Sequence, residues 1–257
     1  MTSTNQCKKM DLSLFCSGPT WPLLIILILP IATLSNCFGK AYQYQVYYHL
    51  PVTTADFLIF QKENWFFSFL LISLFLLFLQ NENRRNFDVS YVLRMKSRRQ
   101  ILFSQLVRAA VYALLFSLYY TVCTLLIAPF FSSGYINWSS TGSIFYSNTA
   151  KLMSVSFLTV LLIFAIMCFL CMLAASYLFM FFCWFSKKGI LPWLVIIFLF
   201  CWDIFMERYA VLAQRASITF SKWSDQTLWQ GALVEIMIAA VFGITGAIYA
   251  KRKEFLN

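Results

Sequence analysis

The sequence has little charge, a single histidine and long stretches without a helix breaker. Asp, Glu, Lys and Arg make up 12% of its 257 residues, about half of what a soluble domain carries, which excludes an ordinary water-facing shell. His49, in "YYHLP", falls in a loop and reads as a surface residue. Neither HExxH nor GxSxG occurs to give it a catalytic role. A phosphate-binding GxxxxGK[ST] loop is missing as well, because the Gly39-Lys40 pair lacks both the loop and the Ser/Thr that would hold magnesium. From Val52 through Ala128 there is neither Gly nor Pro, so nothing in that stretch forces a helix to stop.

What remains is apolar. Hydrophobic residues make up 61% of the chain and the mean hydropathy is +0.72. A membrane-crossing helix needs about 20 apolar residues, and six such runs fit, at 20 to 36, 64 to 80, 101 to 131, 152 to 185, 190 to 206 and 229 to 250. The third and fourth exceed one perpendicular crossing and are expected to tilt or project. The expected fold is an all-α integral membrane protein with six transmembrane helices, a single transmembrane domain over 1–257. Lys8 and Lys9 before the first run, with "TLSNC" ending at Cys37, resemble a cleaved leader. Asn36 is a poor residue for that cleavage, and five further runs follow, so the segment is read as retained. The eight cysteines are scattered. Cys168 and Cys171 form a CxxC inside an apolar run without a second pair, so they read as small buried hydrophobes rather than a metal or redox site.

The net charge of +10 is informative through its distribution. With both termini inside, the inner segments hold 13 Lys and Arg: Lys8, Lys9, Arg84, Arg85, Arg94, Lys96, Arg98, Arg99, Lys187, Lys188, Lys251, Arg252 and Lys253. The outer segments hold Lys40, Lys62, Lys151, Arg208, Arg215 and Lys222, or 6. This bias predicts an N-in, C-in topology and makes nucleic acid an unnecessary partner. The outer "SSGYINWSSTGSIFYSNT" is uncharged and turn-prone, and its Asn137-Trp138-Ser139 sequon is too short to carry weight. Between runs five and six, Trp223 and Trp229 would suit an interfacial helix at the outer headgroups.

The second and third runs are joined by a polar, basic connection. Asn86 or Asp88 could cap a new short helix there. Within it Val89, Val92 and Leu93 would share one side, and Arg94 and Arg98 another. As physics alone, such a helix anchors to anionic lipid, each basic residue contributing about 1 kcal/mol near the surface. The polar exit "LQNENRRN" followed by "YVLRMKSRRQIL" resembles the membrane subunit of type-2 ABC exporters, especially small six-span permeases of Gram-positive bacteria. Arg94, Ser97 and Arg98 match the Arg-x-x-Ser-Arg pattern of that family. The closing "YAKRKEFLN" resembles the basic ends of such subunits. The layout is similar over nearly the whole chain, the specific match over about 20 residues.

The resemblance implies that the connection is a cytoplasmic coupling helix docked on a separate cytosolic ATPase. Arg84, Arg85, Tyr91, Arg94, Lys96, Ser97, Arg98 and Arg99 would form the contact. It also implies outer, partly inserted helices between spans five and six. ATP and magnesium would bind the partner ATPase, with no cofactor in this chain. The other expected partners are a second permease copy, identical or related, and membrane lipid, with the protein in the bacterial cell membrane.

Ionisable groups inside apolar runs are costly. Arg108, about two turns into the third run, reads either as snorkelling toward the headgroups or as part of a translocation path. Gln105 and Tyr112 lie on neighbouring turns to bond it. Glu235, six residues into the last run, is expected about 10 Å higher than Arg108, too far for a direct pair. It faces a cavity, a subunit contact or a polar partner, or it is protonated. Asp203, Glu207 and Arg208 read as a solvated charge group at the outer end of run five. Pro22, Pro30, Pro129 and Pro192 can end or kink helices, while Gly243 and Gly246 permit close packing.

The resemblance implies a transport subunit, not an enzyme, of an ATP-driven exporter that moves an amphipathic or hydrophobic substrate, a peptide being one candidate. The alternatives are a secondary transporter and a structural membrane partner. An intramembrane hydrolase fits less well, lacking a nucleophile with a base.

Overall fold

The computed structural model describes residues 20–62, 66–86, 98–186, 190–205 and 217–250. Among them every regular element is a helix. The long ones are α1 (Thr20–Tyr42), α3 (Ser73–Asn86), α4 (Arg98–Ile127), α6 (Phe157–Phe185), α7 (Ile190–Phe205) and α9 (Leu228–Ala250). Short ones, α2 (Thr54–Gln61), α5 (Ile144–Thr149) and α8 (Phe220–Ser224), lie in the connections. π-helical turns follow α1 at Gln43–Tyr47 and precede α3 at Phe67–Ile72.

Three helical stretches, Gln100–Phe131, Phe157–Phe185 and Leu228–Ala250, are long and apolar enough to cross a membrane. Two shorter apolar stretches are Leu70–Gln80 and Leu191–Asp203. Large apolar side chains remain exposed along α4 (Leu118, Val122, Leu126) and α9 (Leu233, Met237, Ile244). Continuous outward apolar faces of this kind mark a membrane protein.

Helix starts in the connections follow from local chemistry. Ser143, Ser156 and Thr219 each accept a hydrogen bond from the backbone N–H three residues on, opening α5, α6 and α8. α2 opens with a capping box in which the Thr53 hydroxyl accepts from Asp56 N–H and the Asp56 carboxylate accepts from Thr53 N–H. Its next two free N–H groups, on Thr54 and Ala55, donate to the Gly134 and Tyr135 carbonyls. The entry to α2 is therefore buried without orphaned donors. Within α4, Ser117, Thr121 and Thr124 return their hydroxyls to backbone carbonyls one turn back, which satisfies them without water.

α6 is apolar all round and packs against α2, α3, α4, α7 and α9, the position such a helix must occupy. Ring contacts give the directions of its neighbours. Phe78 meets Tyr112 at 5.1 Å and Phe75 meets Phe116 at 5.4 Å between centroids, so α3 and α4 run antiparallel. Trp184 bonds Gln105 while Phe164 meets Tyr120, so α4 and α6 are also antiparallel. α9 runs parallel to α6: Gly243 lies against Tyr177 and Tyr249 stacks on Phe185 at 4.0 Å.

The breaker-free stretch does not become one rod, because α2 ends at a Lys62 cap and packs against α1, α4 and α6. Asn86 is helical within α3 rather than a cap of a new helix. Asp88, Val89, Val92 and Leu93 lie outside the described residues.

Candidate functional site

One end of the bundle is closed by a cap built from α2, the 132–156 loop and the segment around α8. Trp138 is its centre. It is 1% exposed, stacks on Phe145 at 4.8 Å and meets the edges of Trp223 at 5.4 Å and Phe220 at 6.2 Å. Its indole N–H donates to Asp56 Oδ1 at 2.8 Å, while Asp56 Oδ2 accepts from Thr53 Oγ1 at 2.7 Å. Burial pushes the Asp56 carboxyl above its ordinary range, and the hydrogen bonds from Thr53 and Trp138 oppose that shift. At the cap's edge Lys151 and Asp225 pair at 3.0 Å. This contact holds the Asp225 carboxyl below its usual range. An open cleft of about 360 Å³ runs beside Trp138, lined by Ser139, Met153 and Ser156 among others.

Below the cap lies a polar interior. Gln61 donates to the Thr33 carbonyl at 3.2 Å and to Cys37 Sγ at 3.1 Å. Tyr120 donates to the Gln61 carbonyl at 2.7 Å and its Oε1 at 3.0 Å. Lys62 follows Gln61 and is 1% exposed. Glu235 on α9 is 0% exposed, and neither carboxylate oxygen has a hydrogen-bond partner. Lys62, Asp203 and Lys222, from three other elements, act on it electrostatically. Lys222 Nζ is tied to the Ser217 carbonyl at 3.0 Å and to Ser217 Oγ at 2.9 Å.

At the opposite end Trp184 donates its indole N–H to Gln105 Oε1 at 2.8 Å, beside Leu102 and Ala250. Arg108 bonds the Ser104 carbonyl at 3.2 Å and its hydroxyl at 3.3 Å. Its partner one turn back is thus Ser104, where Gln105 and Tyr112 were the expected ones. Arg108 and Glu235 are not brought together.

Two expectations are overturned. Asp203 is not solvated; it is 1% exposed, in electrostatic range of Glu235 on α9 and Cys171 on α6. Glu207 and Arg208 lie outside the described residues. Trp223 is not an interfacial anchor but 5% exposed in the cap, whereas Trp229 does face outward at 62%.

Of the proposed coupling residues, Arg84 and Arg85 occupy the last turn of α3, and Arg98 and Arg99 open α4. Tyr91, Arg94, Lys96 and Ser97 lie outside the described residues. Cys37, Cys123, Cys168 and Cys171 are buried thiols without disulfides. Among the described residues no group of three His, Cys, Asp or Glu is placed to hold a metal ion.

The sequence reading gave Asp56 no role, counted Lys62 only as an outer charge and met Trp138 only inside a sequon. Thr53-x-x-Asp56 before an apolar run is a capping-box signal that would have located the start of α2, but no local pattern pairs Asp56 with Trp138. No family model, curated protein or solved structure matches this chain.

Proposed function

We propose that the chain is the permease subunit of an ATP-driven exporter, its six long helices crossing the bacterial cell membrane with both termini inside. It pairs with a second permease copy and moves an amphipathic or hydrophobic substrate. The observation that supports this reading is the α3–α4 hairpin. Going three residues back along α3, from Phe78 to Phe75, moves the contact four residues forward along α4, from Tyr112 to Phe116. The described ends of the hairpin, Asn86 and Arg98, flank the basic connection of the sequence that resembles a coupling helix. Arg84 and Arg85 approach it on one strut, Arg98 and Arg99 on the other. Two antiparallel helices joined by a basic connection would carry a push from a docked ATPase into the bundle, and Arg and Lys in that connection suit an acidic groove.

The experiment is co-purification after mild solubilisation, with retained proteins identified by mass spectrometry. An ATP-binding subunit is expected with the wild-type chain, and reduced retention with Arg94→Glu/Arg98→Glu/Arg99→Glu. A chain that transports in vesicles with no ATPase attached would overturn the proposal. That result would favour a secondary transporter, a reading to which the buried Glu235, Lys62 and Asp203 lend some support.

A further inference from the structure

Glu235 is a buried acid whose carboxyl makes no hydrogen bond. Gln61, Tyr120, Thr33 and Asp56 all make hydrogen bonds. Glu235 is 0% exposed, and both of its oxygens lack a donor. An ionised carboxylate stripped of water with no hydrogen bond in exchange costs several kcal/mol, even with a cation nearby. A neutral carboxyl in the same place costs far less.

The charges around it do not remove this difficulty. Lys62 at the end of α2 and Lys222 on α8 attract a negative charge at Glu235, and Asp203 on α7 repels it. Lys222 already has its ammonium on Ser217. The Cys171 thiol on α6 lies in range of Lys62, Asp203 and Glu235. On α4, Arg108 sits toward the other end with Ser104. The two attracting lysines both belong to the cap, one on α2 and one on α8; opening withdraws them, which by itself favours the proton, so release is driven by the water that opening admits.

We propose that Glu235 is a proton-binding site, which holds one proton while the cap is closed and releases it when the cap opens and admits water. The ligand is a proton, and the moving parts are α2 with Lys62 and the 217–227 segment with Lys222. The direction follows from linkage. The closed form binds the proton more tightly, so it dominates at low pH, and opening is favoured as pH rises above the ordinary carboxylate range of about 4.3. The proposal stands whether or not an ATPase drives the bundle.

The test uses the full chain in lipid nanodiscs. Dicyclohexylcarbodiimide, which reacts with protonated carboxyls in apolar surroundings, is applied between about pH 6 and about pH 9, and the modified residue is mapped by mass spectrometry. In parallel, hydrogen exchange of 217–227 is followed with correction for intrinsic rates. The expected result is modification of Glu235 that declines as pH rises. Protection of 217–227 should fall over the same range, by up to about tenfold per pH unit, the limit for one linked proton. Glu235→Gln should stay protected at every pH. Absence of modification at Glu235 at all pH values overturns the proposal in the wild-type protein, even if the variant fails to fold. So does a Glu235→Gln variant that keeps the wild-type pH dependence, or Asp203→Asn abolishing it, which would place the proton on Asp203.

Discussion

Trp138 donates its indole N–H to Asp56 across 2.8 Å, joining residues 82 apart in sequence and fastening the 132–156 loop to the first turn of α2. The bond is buried, and Asp56 also serves the capping box of that helix, so one carboxylate holds both the helix start and the loop. Trp138→Phe keeps most of the ring packing and removes the donor. It is expected to destabilise by about 1–3 kcal/mol, the cost of leaving a buried acceptor unsatisfied. Asp56→Ala, which also dismantles the capping box, should cost more. Thermal unfolding of the detergent-solubilised protein checks the order.

The packing of α9 on α4 and α6 at Gly246 makes a prediction about volume. A methyl group at Gly246 would rest 3.5 Å from Leu102 Cδ2, an ordinary contact. Gly246→Ala should therefore fold normally and gain a few tenths of a kcal/mol to about 1 kcal/mol from helix propensity. Gly246→Leu must displace Leu102 and Phe181 and is expected to lose about 1–3 kcal/mol by overpacking. Unfolding temperatures of the two variants should move in opposite directions.

The Lys151–Asp225 pair sets a pH dependence at the rim of the cap. The Asp225 carboxyl is held below its ordinary range by Lys151, so the contact is fully present above the unfolded carboxylate value of about 3.9 and is lost as pH falls below it. Both side chains are more than half exposed, so salt should weaken the pair. Hydrogen exchange at 149–151 and 224–226 should quicken below about pH 4, and Asp225→Asn should show the faster rate already at neutral pH.

Much of the helical layout was legible because apolar runs long enough for a spanning helix admit few other structures. α4, α6 and α9 lie where such runs predict them, and the N-caps at Ser143, Ser156 and Thr219 are local chemistry. The cap was not legible. Trp138, Trp223 and Asp203 carry the polar or aromatic character of surface residues, and the burial of the two tryptophans depends on contacts between segments 80 or more positions apart, as the Trp138–Asp56 bond illustrates. Lys62 was counted as an outer-loop charge for the same reason. Glu235 was singled out because an acid inside an apolar run is conspicuous, whereas its cross-bundle neighbours could emerge only from the packing of four elements.

The proposed coupling role of the basic connection is tested by ATP turnover. The chain is reconstituted in liposomes with an ATPase recovered by co-purification, and hydrolysis is measured for wild type and for Arg94→Glu/Arg98→Glu/Arg99→Glu at equal content of the chain. A coupling contact requires turnover stimulated by the permease to fall by about tenfold or more in the variant, equivalent to losing about 1.4 kcal/mol of coupling, while the ATPase alone is unaffected. Equal turnover and equal assembly in the two preparations would contradict it.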